Sequence, residues 1–302
     1  MSFDYDTLVD SISVMVKLET TNYGRFNYIL EFDEKKEADE KIEGRIIGLR
    51  RSRVVNWMYE VVDTYGLSRG LVSSGMSLLD TFYGKLSKKD HLCVADFQRF
   101  QLVSLASFIL ALKLDNNKSL NIPDLCSGQF DISLIVEMEK FVLEVLDWNL
   151  HAPAPIDFVK YCMLLQCHCH HDNLGENGDN LKIFIPVYDE ISDMAVFLTE
   201  IAELDYHFIS FKASTIAFAA ILNALEMIGH LRYPSNLCDS FVRLLEKVLV
   251  QNEVGEDVIK CRQRLAQVYL NSEAGDASQT NTVEESRNRM NAQSPRGVFD
   301  LI

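Results

Sequence analysis

Proline and glycine are scarce, at 6 and 14 in 302 residues. So few chain-breakers exclude a turn-rich sandwich or barrel and favour long helices. Cysteines number 7 and follow no regular spacing, and Met1–Asp6 lacks the pattern of a secretory signal. Reduced thiols and a nuclear and cytoplasmic location are the expectation. No apolar run reaches the roughly 20 residues of a membrane helix. The longest, Leu102–Leu114, is interrupted by serines and Lys113, so no membrane partner is expected. Basic residues are outnumbered 29 to 44, leaving a net charge of -15. Without a basic stripe such a surface repels phosphate backbones, and no nucleic-acid partner is expected. A protein partner fits better.

What is present is a core: 48% of residues are hydrophobic. Val54, Val55, Met58, Val61, Val62 and Tyr65 recur at steps of three and four, so a helix is predicted over Gly44–Tyr65, stopped by Gly66. A second is predicted over Leu71–Tyr83, closed by Gly84. A third spans Phe97–Leu114, apolar on every side in its second half and rich in small residues, which marks the central helix of a bundle. A fourth runs from Asp131 to Leu150. His151-Ala152-Pro153-Ala154-Pro155 cannot continue a helix and is read as a stiff linker between domains.

The second half repeats the theme. Helices are predicted over Ile156–Gln166, Lys182–Glu203, Phe211–Ile228, Asn236–Val250 and Glu256–Leu270, the third of these again small-residue-rich. Asp172–Asn180 reads as a loop, and the polar stretch Asn271–Ile302 as a disordered tail. The expected organisation is all-α: an N-terminal helical segment (1–43), two helical domains (44–151 and 152–270) and the tail (271–302).

Several charged residues sit in apolar company. Arg51 falls in the stripe of the first helix and Asp80 at the edge of the second. A lone buried charge costs several kcal/mol. Either the two pair across the helices or their ends reach water. Lys113 ends the apolar third helix, and Glu139 lies among Leu134, Ile135, Met138, Val142 and Leu143. These two make either a local ion pair or a contact site. Glu200 and Glu203 read as an ordinary solvated face.

At these positions the sequence resembles the cyclin family. Arg51-Ser52-Arg53-Val54-Val55-Asn56-Trp57-Met58-Tyr59-Glu60-Val61 is similar to the family's M-R-A-I-L-V-D-W-L-x-E-V. Leu78-Leu79-Asp80-Thr81-Phe82 resembles Y-[LI]-D-R-F, and Leu102 through Lys113 resembles L-x-x-x-A-x-x-[LI]-A-[SA]-K. Glu137 through Leu150 resembles x-M-E-x-x-[IV]-L-x-x-L-x-[FW]-x-[LM]. Pro153–Phe158 and Phe197–Tyr206 follow the linker and second-box patterns more loosely. The resemblance runs from about Arg45 to Leu270.

It implies two tandem five-helix cyclin boxes and a non-catalytic subunit that binds and activates a cyclin-dependent serine/threonine kinase in the cell cycle. By resemblance, Lys113 and Glu139 contact the kinase, with Leu110, Leu114, Leu143, Trp148 and Leu150 supplying apolar surface. Arg51 and Asp80 are the structural ion pair. Val54, Trp57, Glu60 and Gln101 correspond to the patch on which many cyclins dock substrates or inhibitors, although Arg50 and Arg53 stand where that patch is usually apolar and Phe97 where it usually has Arg. No cofactor is implied. Cys162, Cys167, His168, Cys169, His170 and His171 offer zinc-type donors, but at no standard metal spacing, and no metal is assigned. The rival readings are a cyclin-fold transcription-associated protein, opposed by the acidic charge, or another helical interaction module. No phosphate loop or nucleophile elbow suggests an enzyme. Ser294-Pro295-Arg296 offers a minimal phosphorylation context.

Overall fold

The computed structural model describes residues 4–21, 26–30, 38–87, 96–115, 125, 130–173, 179–229, 232, 235–249 and 255–277. Among them are ten α-helices and no strand: α1 (Tyr5–Thr21), α2 (Ala38–Thr64), α3 (Gly70–Ser87), α4 (Phe97–Leu114), α5 (Ile132–Val145), α6 (Pro155–Asn173), α7 (Asp179–Leu204), α8 (Ala213–Ala224), α9 (Ser235–Leu249) and α10 (Gly255–Ala277). A 3-10 turn, Tyr206–Ser210, follows α7, and a π turn, Leu225–Gly229, extends α8.

The chain folds into two compact units that are discontinuous in sequence. One comprises Arg25–Ala152 and Glu203–Ser210. The other comprises α1, Pro153–Ala202 and Phe211–Ser272.

The first unit is built on α4. Every residue from Phe100 to Leu112 is buried, because α2, α3 and α5 surround it. Although α4 is long and apolar enough to cross a membrane by length and composition, it is the core helix of this unit. Asp96 caps its start, its carboxylate accepting from the Arg99 amide at 3.2 Å. Aromatic pairs lock the neighbours: Trp57 meets Phe108 edge-on at 5.4 Å and Tyr83 stacks on Phe100 at 5.5 Å. Gly66 does end α2. At φ 63 it is left-handed, and the amides of Gly66 and Leu67 return to the carbonyls of Asp63 and Val62. Gly84 does not end α3, which runs on to Ser87. A Cβ there would lie 3.3 Å from the Phe26 carbonyl, so the glycine serves a close approach.

The end of the fourth predicted helix also differs. It stops at Val145 instead of Leu150, because Asp147 and Trp148 take left-handed conformations, φ 51 and 60.

The second unit is built on α8, whose residues are nearly all buried. Phe158, Cys162 and Leu165 of α6, Ile191 of α7, Phe241 and Leu245 of α9, and Cys261 and Leu265 of α10 are buried in this unit. Leu8, Ile12 and Val16 of α1 recur at steps of four and are buried in the same core. The α8 N-terminus has no side-chain cap from Lys212. Instead buried Glu19 of α1 accepts from the Ser214 amide at 3.1 Å and from the Ser214 hydroxyl. Helix α10 continues to Ala277, past Asn271 where the tail was expected to begin. The rest of that expected tail, with Ser294, lies outside the described residues.

Candidate protein-interaction site

Helix α5 buries Ile135, Glu139 and Val142, and its C-cap Leu146 continues the same steps of three and four. Glu139 therefore occupies a core position with a carboxylate. Lys113, in the last turn of α4, answers it: its Nζ donates to Oε1 at 2.6 Å and to Oε2 at 2.7 Å. The α4 C-terminus also favours a cation there. The pair is lopsided. The glutamate side chain is 9% exposed and the lysine 49%. The carboxylate is thus neutralised from one side by an ammonium whose other side meets water. Two of its three N–H groups go to Glu139, and among the described residues none accepts the third.

The apolar residues expected to share this surface divide by burial. Leu110 is buried and belongs to the core, while Leu114, Leu143 and Leu150 are half-buried against it. Trp148 is 69% exposed, the most exposed of the described large apolar side chains. Sequence reasoning missed two more. Ile132 and Val136 are 54% and 56% exposed. Their spacing of seven and three from Glu139 sets them on its side of α5. That spacing was the available signal.

The predicted structural pair is formed, and it is larger than expected. The Arg51 guanidinium donates Nε to Asp80 Oδ1 at 3.0 Å and Nη2 to Asp80 Oδ2 at 2.8 Å. Its Nη1 donates to the Glu203 backbone carbonyl, and Glu203 Oε2 lies 3.7 Å from Nη2. The Tyr28 hydroxyl donates to Asp80 Oδ1 at 3.0 Å, and Ser73 Oγ to Glu203 Oε1 at 2.5 Å. Burial alone would lower the Arg51 pKa, but Asp80 outweighs it and the pKa rises. Burial and then Asp80 push the Tyr28 phenol well above its usual value. Glu203 was misread as solvated. The clue was that Asp80 satisfies only part of a five-donor guanidinium.

The expected docking patch is not an exposed surface in this chain. Val54, Trp57 and Gln101 are buried and only Glu60 is exposed. Trp57 turns inward to Phe108, and the Gln101 side-chain amide finds no partner among the described residues. Arg50 lies 4.9 Å over the Phe97 ring. Of the metal-type cluster, Cys162 is buried and its thiol is pushed up by burial, which disfavours a ligating thiolate. The side chains of Cys167, His168, Cys169, His170 and His171 lie outside the described residues.

Comparison with known proteins follows the same lines. The family profile "Cyclin, N-terminal domain" matches residues 10–151, and "Cyclin, C-terminal domain" matches residues 153–295. The chain is similar to the G2/mitotic-specific cyclin-2 of Saccharomyces cerevisiae, 25% identical over 217 residues, covering 70% of this chain and 39% of that protein. It is 27% identical to the G2/mitotic-specific cyclin-B3 of Drosophila melanogaster over 184 residues, covering 59% of this chain and 27% of that one. It is 23% identical to cyclin-A2-3 of Arabidopsis thaliana over 201 residues, covering 65% and 40%. The chain thus spans well under two thirds of these relatives' length. The X-ray structure of a viral cyclin from herpesvirus saimiri superposes with a TM-score of 0.52 at 13% identity, over 86% of this chain and 97% of that one. That likeness is one of fold.

Proposed function

The chain belongs to the cyclin family, and from that premise we propose that it binds and activates a cyclin-dependent serine/threonine kinase to control cell-cycle progression. The observation that carries this reading is the Lys113–Glu139 pair, half open to water, together with exposed Trp148 just past the end of α5. An exposed aromatic and a partly desolvated ion pair are the ingredients of an interface hot spot.

The mechanism follows from energetics. A kinase needs its strand lysine paired with a glutamate on a movable helix. A surface that fits this helix only in its inward pose raises the population of that pose, by no more than its differential affinity for the two poses. In this reading Lys113 offers its remaining N–H to a carbonyl or carboxylate of the kinase. Glu139 holds the ammonium in place, and Trp148 fills an apolar pocket. The chain itself supplies surface and no reacting group.

The test is the Lys113→Ala, Glu139→Ala double variant, which loses the charge pair as a unit and leaves no lone buried carboxylate. Affinity for a purified mitotic-class cyclin-dependent kinase is expected to fall by roughly 2–4 kcal/mol, 30-fold or more. Kinase activation falls with it. Wild-type affinity and activation in the double variant would refute the site. A nuclear and cytoplasmic location belongs to the same proposal, and imaging of the tagged chain checks it.

A further inference from the structure

The end of α5 repeats a turn seen at the end of α2, with one difference. In both, the amides of two successive residues fold back on the last helical turn. Gly66 and Leu67 return to Asp63 and Val62; Asp147 and Trp148 return to Glu144, at 3.2 Å, and to Leu143, at 3.1 Å. This turn needs a left-handed residue, and glycine is its usual occupant. At α2 that occupant is Gly66, φ 63. At α5 it is Asp147, φ 51, and Trp148 behind it is left-handed as well, φ 60. Left-handed backbone is unfavourable for any residue with a Cβ, and a bulky aromatic in it is a clear outlier. Such conformations persist where the surroundings hold them, and they gather at functional sites.

One holding group is visible. Lys85, in the last turn of α3, places its Nζ 2.8 Å from Asp147 Oδ2. Aspartate thus does what glycine cannot: it ties the left-handed turn to the neighbouring helix. The turn in turn sets the direction of Trp148, which stands in solvent. The geometry points to Lys85 as a positioning residue that, through Asp147, presets Trp148 for the kinase. This rests on the reading of Trp148 as part of the partner-binding surface. Pre-setting matters because a rigid anchor loses less freedom on binding than a mobile one.

The chain offers its own reporter, since it has only two tryptophans, Trp57 sealed in the core and Trp148 exposed. Four variants test the inference by titration against a purified mitotic-class cyclin-dependent kinase and by time-resolved fluorescence anisotropy of the unbound chain. Lys85→Met and Asp147→Asn should each weaken binding about threefold, the scale of one exposed ion pair. The double variant should be no weaker than either alone, because both remove the same contact. Lys85→Arg should bind as wild type. In Lys85→Met a fast depolarisation from Trp148 should appear, with the thermal midpoint unmoved; a merely structural contact would move the midpoint and not the anisotropy. Unchanged anisotropy in Lys85→Met, additive losses in the double variant, or wild-type affinity in Lys85→Met overturns the positioning role. Failure of the underlying reading looks different: Trp148→Ala would then bind as tightly as wild type, whatever Lys85 does.

Discussion

Replacing Arg51 by methionine removes one cation from between two carboxylates. The side chain is 3% exposed, and those of Asp80 and Glu203 are 17% and 15% exposed. Methionine fills much of the volume, so packing loss is small and the electrostatic effect dominates. Asp80 loses two donors, and the Glu203 carbonyl loses the Arg51 Nη1 donor. Breaking one side of a buried pair destabilises by about 3–5 kcal/mol, mostly because the remaining charges are left uncompensated. At roughly 3 °C per kcal/mol for a unit of this size, thermal unfolding followed by circular dichroism should shift down by about 10–15 °C. Because the penalty comes from stranded charge, Arg51→Met, Asp80→Asn, Glu203→Gln together should be more stable than Arg51→Met alone. A single variant that unfolds within about 2 °C of wild type, or a triple variant less stable than the single, would refute the account of a buried charge hub.

Glu19→Gln and Ser214→Ala should each cost about 1–2 kcal/mol in urea unfolding, and the double variant no more than the larger single, since one cap at the α8 N-terminus is shared. Tyr28 carries a pH signature. Its folded pKa lies above its unfolded value, so the stability it contributes is complete below about pH 10 and is lost as pH rises from there towards the folded pKa. Urea midpoints at pH 8 and pH 11 should therefore diverge less in Tyr28→Phe than in wild type. Gly66→Ala should destabilise by about 1–2 kcal/mol through backbone conformation alone, because a Cβ at that position meets nothing within 4 Å; a crystal structure of the variant with an unchanged turn would accompany that loss.

Some of this fold was legible because a single physical cause set the pattern. Phe100–Leu112 is buried on all sides, so the absence of a polar face in the second half of this helix marked its central place. Val54, Val55, Met58, Val61 and Val62 are buried as their period requires. Where two causes compete, pattern misleads. Asp147 and Trp148 continue the helical spacing of α5, and only their backbone angles, stabilised from another helix, end it. Gly84 carries a stop signal that tertiary packing overrides. Glu203 looks solvated because its partner, Arg51, is 152 residues away. Lys113 and Glu139 were conspicuous as charges in apolar company, but which of them would be sealed and which wet depended on the bundle around them.

Glu19 and Ser214 are separated by 195 residues, yet the carboxylate of one completes the helix that the other begins. During synthesis at about 5–20 residues per second, α1 leaves the ribosome some 10–40 s before that helix exists. In the interval its acid has no amide to meet, although α6, against which its apolar edge packs, is made before that helix. The cap that joins the first helix of this unit to its central one is therefore made late, after the apolar contacts that bring them together have begun to form.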